Sequence, residues 1–204
     1  MKAILCCFAL GAIPALSQIP GARVAPFGVY TQFDHEPSRP VLDSLKQELT
    51  SIMFPVGLRF EWRSLAAPRI DETFPELAVV TFQGTCALAD LIPQRIGSAA
   101  LGRTHVTDGQ VLPFSEVNCD RIRAFLSQAL IPLAPQDRNE AFGRAVARVL
   151  AHELYHIITR TAHHGSSGVA RAAYTVPELM AGDFYFEKAD LRALGALRVP
   201  HPSQ

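Results

Sequence analysis

The tightest constraint on what this 204-residue chain can fold into is a stripe of side chains that ends in two histidines. Phe142, Ala145, Val149, His152 and His156 follow one another at steps of three or four residues, the spacing of one face of an α-helix. The pattern predicts a long helix ending near Thr159, with both imidazoles continuing its inward side. Asp137 and Glu140 predict where it starts, as a capping box with Asp in the place of Ser or Thr. A pair of core histidines satisfied by hydrogen bonds is the plain structural reading of such a stripe.

The residues between the histidines supply a chemical reading. "HELYH" has the form H-E-x-x-H. On a helix its two histidines lie one turn apart and can share one zinc ion, while Glu153 reaches water on the metal. Zinc lowers the pKa of that water toward neutrality, and the glutamate accepts its proton as hydroxide attacks a polarised carbonyl. In peptide hydrolysis the same carboxyl can hand the proton to the leaving amine. A catalytic zinc wants a third protein ligand and an open position. With the helix ending near Thr159, a loop can return a residue seven or eight positions past His156, and both His163 and His164 have that reach. Glu178 is the rival, in a thermolysin-like arrangement where a second helix supplies a glutamate. That arrangement pairs the glutamate with an aspartate four residues later, whereas here position 182 is Gly and Asp183 comes one step too late.

The rest of the chain reads as strands and helices. "FGVYTQF" (27–33) alternates as a strand, and Val41, Leu42, Leu45, Leu49, Ile52 and Met53 recur at helical spacing until Pro55 and Gly57. "GLRFEWR" puts Leu58, Phe60 and Trp62 on one face and Arg59, Glu61 and Arg63 on the other. "ELAVVTF" (76–82) carries no charge after its first residue, as expected of a strand covered on both faces. "SAALGRTHV" and "QVLPF" flank the turn signal from Thr107 to Gly109, which predicts a hairpin or two successive strands. Cys119 to Leu130 reads as a helix, and after an irregular stretch and a segment from Pro177 to Asp183 a last short helix is expected near Glu187 to Leu197.

Composition removes some partners. Nineteen Lys and Arg balance nineteen Asp and Glu, so no global field draws in nucleic acid or anionic lipid, and neither is expected. The opening "MKAILCCFALGAIPALSQIP" has the lysine, apolar run and small residues of a secretory signal, with cleavage expected after Ser17. A buried N-terminal helix is the alternative, but Gly11 and Pro14 interrupt it. No later stretch approaches the roughly 20 apolar residues of a membrane span. The mature chain is therefore expected to be secreted or periplasmic, without membrane insertion. Cys6 and Cys7 fall in the signal, and the remaining pair, Cys86 and Cys119, most simply forms one disulfide in an exported chain.

The residues after the second histidine resemble the metzincin metalloproteases, particularly short secreted bacterial proteins of matrixin-like type. Their motif is H-E-x-x-H-x-x-G-x-x-H, followed by a tight turn that carries a methionine beneath the zinc. His152, Glu153 and His156 match, Thr159 replaces the glycine, Ala162 takes the expected third-ligand position, and His163 and His164 come one and two residues late. "HGSSGVAR" (164–171) resembles the family's run of histidine, small polar residue, glycine, aliphatic residue and methionine. In that register His164 and not His163 is the third ligand, Val169 is the aliphatic residue, and Ala170 stands where methionine would be. Tyr174 is the candidate for the tyrosine that in some metzincins ligates zinc or stabilises the oxyanion. It lies four residues past Ala170 where two is usual, and an ordinary packed tyrosine is the other reading. His105, on the strand that the resemblance places at the rim of the cleft, reads as a surface residue.

The resemblance implies an α+β fold: a twisted mixed five-stranded sheet with an antiparallel edge strand, a backing helix, a zinc-binding active-site helix and a small irregular C-terminal lobe. It implies one catalytic domain over 18–204, divided into lobes of about 24–160 and 161–204, with no room for a cysteine-switch prodomain after Ser17. The edge strand would pair with extended substrate. The implied function is a secreted zinc-dependent endopeptidase acting on peptides or proteins, with one Zn2+ on His152, His156 and His164 and Glu153 as general base and acid. A zinc-binding or interaction module that kept the fold and lost turnover is the alternative suggested by the absent glycine and methionine. The thermolysin-like peptidase with Glu178 as third ligand is the other.

Overall fold

The computed structural model describes residues 25–67, 69, 71–88, 91–93 and 99–196. The secretory signal read over 1–17, with its cleavage point after Ser17, lies outside them. The strands are β1 (Ala25–His35), β2 (Leu58–Ser64), β3 (Glu76–Thr85), β4 (Gly102–Thr107) and β5 (Gln110–Asn118). The helices are α1 (Arg39–Met53), α2 (Cys119–Leu130), α3 (Pro135–Thr159), α4 (Val176–Met180) and α5 (Lys188–Ala196). The strands form one mixed sheet in the order β2-β1-β3-β5-β4, parallel except for β4, which runs antiparallel to β5 at the edge. This is the α+β arrangement expected, with its antiparallel edge strand.

Asp108 and Gly109 both take positive φ, 51° and 76°, the two-residue turn whose twist suits a hairpin. The Thr107–Gly109 turn signal therefore joins β4 to β5 directly. β4 is shorter than expected: Ala99, Ala100 and Leu101 are irregular, and the Leu101 carbonyl accepts from the Asn118 N–H at 2.8 Å. β3 also departs from expectation. Ala78, Val80 and Phe82 are fully buried, but Leu77 and Val79 between them are only half-buried. Phe74 lies on their face, its ring filling the space over Gly28, the register partner of Leu77, so closely that a Cβ there would come within 2.6 Å.

The helices place the site. α1 buries Val41, Leu45, Leu49, Ile52 and Met53 and backs onto α3 through Gly143, where an added Cβ would lie 2.5 Å from the Val41 carbonyl. α3 begins two residues before the expected Asp137–Glu140 box. Its N-cap is Ala134, with no side-chain cap, and Pro135 opens it, a position where fixed φ helps and the missing N–H is not needed. From Ala141 onward nearly every residue of α3 is buried, not one stripe alone, because the helix is enclosed by the sheet, α1 and the segment after it. It ends at Thr159, with Arg160 in the left-handed region at φ 52°. Cys86 and Cys119 form the expected disulfide, Cα–Cα 5.0 Å, fastening the end of β3 to the start of α2. Among the described residues no helix is long and apolar enough to cross a membrane.

Candidate metal centre

His152 and His156 ride on the last two turns of α3, with their Nε2 atoms 3.1 Å apart. His164 closes the group, its ring stacked 5.2 Å from that of His152 and edge-on 4.8 Å from that of His156. The ligand nitrogens of all three lie within 4.8 Å of one another, and among the described residues this is the group of three or more that can hold a metal ion. The helical pair is buried, while His164 is exposed.

Backbone carbonyls set the tautomers. The His152 Nδ1–H donates to the Val169 carbonyl at 2.8 Å, and the His156 Nδ1–H to the Thr161 carbonyl at 2.7 Å. A carbonyl can only accept, so in each neutral ring the proton sits on Nδ1 and Nε2 presents a lone pair. Two lone pairs facing one another across 3.1 Å repel unless a cation lies between them. A proton is a poor choice, because burial pushes His152 down to about 4 and holds His156 below the usual imidazole value. A metal ion fits the donor set, with both rings oriented by their far nitrogens.

Beside the histidines lies a cleft of about 630 Å³. β4 borders it, Ala172, Ala173 and Tyr174 line it, and Phe125 and Val149 add apolar surface. Glu153 faces the cleft with 4% of its surface exposed. Its Oε2 accepts from the Thr104 hydroxyl at 2.7 Å. Burial raises the carboxyl to about 7, against the opposing effect of that hydrogen bond. A carboxyl poised near neutrality can both take and return a proton.

The segment after α3 reaches back to support His152. The Val169 carbonyl accepts from both the His152 Nδ1–H and the Tyr174 hydroxyl, and the Tyr174 oxygen lies 3.1 Å from Nδ1. Burial holds the Tyr174 phenol well above its usual range, and the Glu153 and Glu178 charges add to this. Ala170 is fully buried in the turn Gly168–Ala170. That turn is fastened by Gly165 N–H to the Ala170 carbonyl at 2.7 Å and Val169 N–H to the Tyr185 carbonyl at 3.1 Å. These bonds are made by backbone, so the turn closes without a methionine.

The other candidates are placed elsewhere. His163 is exposed, with its N–H bonded to Thr161 Oγ1 at 3.1 Å, and is not one of the grouped side chains. Glu178 closes the capping box of α4: its carboxylate accepts from the Thr175 N–H and hydroxyl, both at 2.7 Å, and pairs with Arg171. With those commitments it is not one of the grouped side chains, as the thermolysin-like arrangement would require. His105 is half-exposed and pairs with Glu116 at 3.1 Å.

Sequence reasoning passes over Arg148, Gly102 and Thr104. Arg148 is fully buried, its Nε 2.7 Å from Glu48 on α1 and its Nη1 3.1 Å from the carbonyls of both Glu178 and Leu179. It fastens the C-terminal segment to α1 and α3. Its signal is its place four residues before His152 on the inward side. Gly102 and Thr104 belong to β4 and meet Glu153 across the packed interface, with no local pattern to mark them.

No protein-family model matches the sequence, and no curated protein matches it. Among solved structures the chain is similar to a crystal structure of an archaemetzincin from Methanopyrus kandleri, at 11% identity and a TM-score of 0.48, over 88% of this chain and 98% of that one. The functional reading of the centre rests on its own geometry.

Proposed function

We propose that this chain is a zinc-dependent endopeptidase of metzincin type that works outside the cytoplasm. The observation that carries the reading is the meeting of three imidazoles, within 4.8 Å of one another, with a buried glutamate in a cleft bordered by an edge strand. Three imidazoles and an open fourth direction suit zinc better than hard, oxygen-seeking ions. When bound there, zinc supplies Lewis acidity, acidifying water and polarising the scissile carbonyl. Glu153, buried at the cleft beside the histidines, takes the proton of the attacking water and returns it to the leaving amine. The Val169 and Thr161 carbonyls keep Nε2 of His152 and His156 free of protons. β4 offers its outer edge to an extended peptide. Tyr174, bonded to Val169, supports the His152 ring. The apolar opening segment and the disulfide support export to an oxidising compartment.

The test is incubation of the mature protein with a broad peptide library, with and without a chelator. Cleavage that the chelator abolishes and zinc restores is expected, and Glu153→Gln should retain zinc while losing rate by about 10²–10⁴-fold. Stoichiometric zinc with no cleavage of any peptide would assign a binding module on this fold. Full activity in Glu153→Gln would refute the mechanism.

A further inference from the structure

β4 meets α3 through two inward positions, and both touch Glu153. Thr104 Oγ1 lies 2.7 Å from Glu153 Oε2, 3.1 Å from the Glu153 carbonyl oxygen and 3.0 Å from Ser115 Oγ. At the other position, a Cβ added to Gly102 would come 2.6 Å from Glu153 Oε1 and 2.8 Å from a methyl of Val149. Gly102 is not among the positive-φ glycines, so no backbone demand accounts for it. What accounts for it is room for the carboxylate.

The hydrogen positions follow from the chemistry of the groups. With the carboxylate ionised, both Glu153 oxygens near Thr104 only accept, and Oε2, at 2.7 Å against 3.1 Å for the carbonyl, takes the single Thr104 hydroxyl hydrogen, so Ser115, with 2% of its surface exposed, donates to Thr104. The chain of donation runs from β5 through β4 to the helix. Among the described residues no hydrogen bond reaches Oε1.

We propose that Gly102 and Thr104 form a cradle that sets the side-chain conformation of Glu153, with Thr104 as the positioning residue that pins Oε2 and leaves Oε1 to act on water. The inference rests on the peptidase reading of the centre. A glutamate has three rotatable side-chain bonds, and a charge-assisted hydrogen bond from a rigid strand removes most of that freedom before substrate arrives. The strand that would align an extended peptide is then the strand that aligns the base. The separation between base and scissile bond is held by one element.

The experiment compares Thr104→Val, which keeps the shape and loses the hydroxyl, with Thr104→Ser, which keeps the hydroxyl. Four readouts are taken: kcat and KM on a cleaved peptide, zinc stoichiometry, and the Glu153 conformation in crystals of the zinc-loaded proteins. Thr104→Val is expected to lower kcat by about tenfold or more with KM changed less than about twofold, to keep its zinc, and to show Glu153 turned away from β4. Thr104→Ser should recover most of the lost rate and the original conformation. Gly102→Ala provides a second route, displacing the carboxylate by crowding while the hydroxyl stays. A Thr104→Val protein with unchanged kcat, or with Glu153 unmoved, overturns the proposal. If Thr104→Val does not fold, an unmoved Glu153 in Gly102→Ala overturns it equally. Wild-type protein that cleaves nothing would instead sink the peptidase reading, and the crystallographic comparison would still decide the cradle.

Discussion

Two regions of the chain build the same group of three histidines by different means. His152 and His156 belong to a buried helix, at positions fixed by its period, with each ring keyed to a backbone carbonyl. His164 belongs to the irregular segment after it, exposed, and placed by a few backbone contacts such as the Gly165–Arg171 bridge and the Gly165–Ala170 hydrogen bond. The helical pair is preorganised by the whole core, whereas the third histidine is only as well ordered as its loop. The regions are nevertheless interlocked, because the carbonyl that orients His152 comes from Val169 in the second of them.

Removing ligands tests the contrast most severely. His152→Ala and His156→Ala are expected to abolish zinc binding, read as metal content after dialysis. His164→Ala should weaken affinity by about a hundredfold or more without disturbing the fold, and His163→Ala should change nothing. A His164→Ala protein that loses zinc as completely as His152→Ala would break the distinction between the regions, and equal behaviour of His163→Ala and His164→Ala would break the choice of His164.

Arg148 tests the join between them. It is fully buried and holds Glu48 on one side and two carbonyls at the end of α4 on the other. Arg148→Ala should cost about 3 kcal/mol in urea unfolding, because an unpaired partner is left behind. Limited proteolysis should then cut within 161–196 first. Loss of stability without that selectivity would show that the segment is fastened by other means.

The helical region also carries a buried charge that the loop does not. Glu153 titrates near 7 in the folded chain against a reference of 4.5. Its folded pKa is the higher one, so between those values the folded state binds more protons, and the stability this gives is lost as pH rises through about 7. In metal-free protein, Glu153→Gln should therefore exceed wild type by about 2–3 kcal/mol at pH 8 and show little difference at pH 4. The smallest effect is expected at the boundary itself. Arg160 holds a left-handed conformation at φ 52° that costs a side-chain-bearing residue about 1 kcal/mol, so Arg160→Gly should gain about that much in thermal or urea unfolding.

The same contrast decides what is legible in the residues alone. A helical period is local, so the stripe from Phe142 to His156 is visible in the amino-acid order itself, and so are α1, β2 and the β4–β5 hairpin. A loop has no period. The choice of His164 over His163 comes only from a resemblance, because it depends on where the helix breaks, at Arg160, and on backbone bonds from Gly165 and Val169. The Asp137–Glu140 pattern looks like a cap and misplaces the start of α3, which opens at Pro135. The lack of charge in β3 suggests cover on both faces, but absence of charge does not compel burial, and Leu77 and Val79 stay half-exposed. Thr104 and Glu153 are 49 residues apart in sequence, and only the packing of β4 on α3 brings them together.

The most direct test of the metal centre is zinc content, measured by mass spectrometry on dialysed wild-type, His163→Ala and His164→Ala proteins. One zinc per chain is expected in the wild type and in His163→Ala, with the metal lost or greatly weakened in His164→Ala. A wild-type protein without zinc, or a His164→Ala protein that keeps it at full affinity, would contradict the assignment.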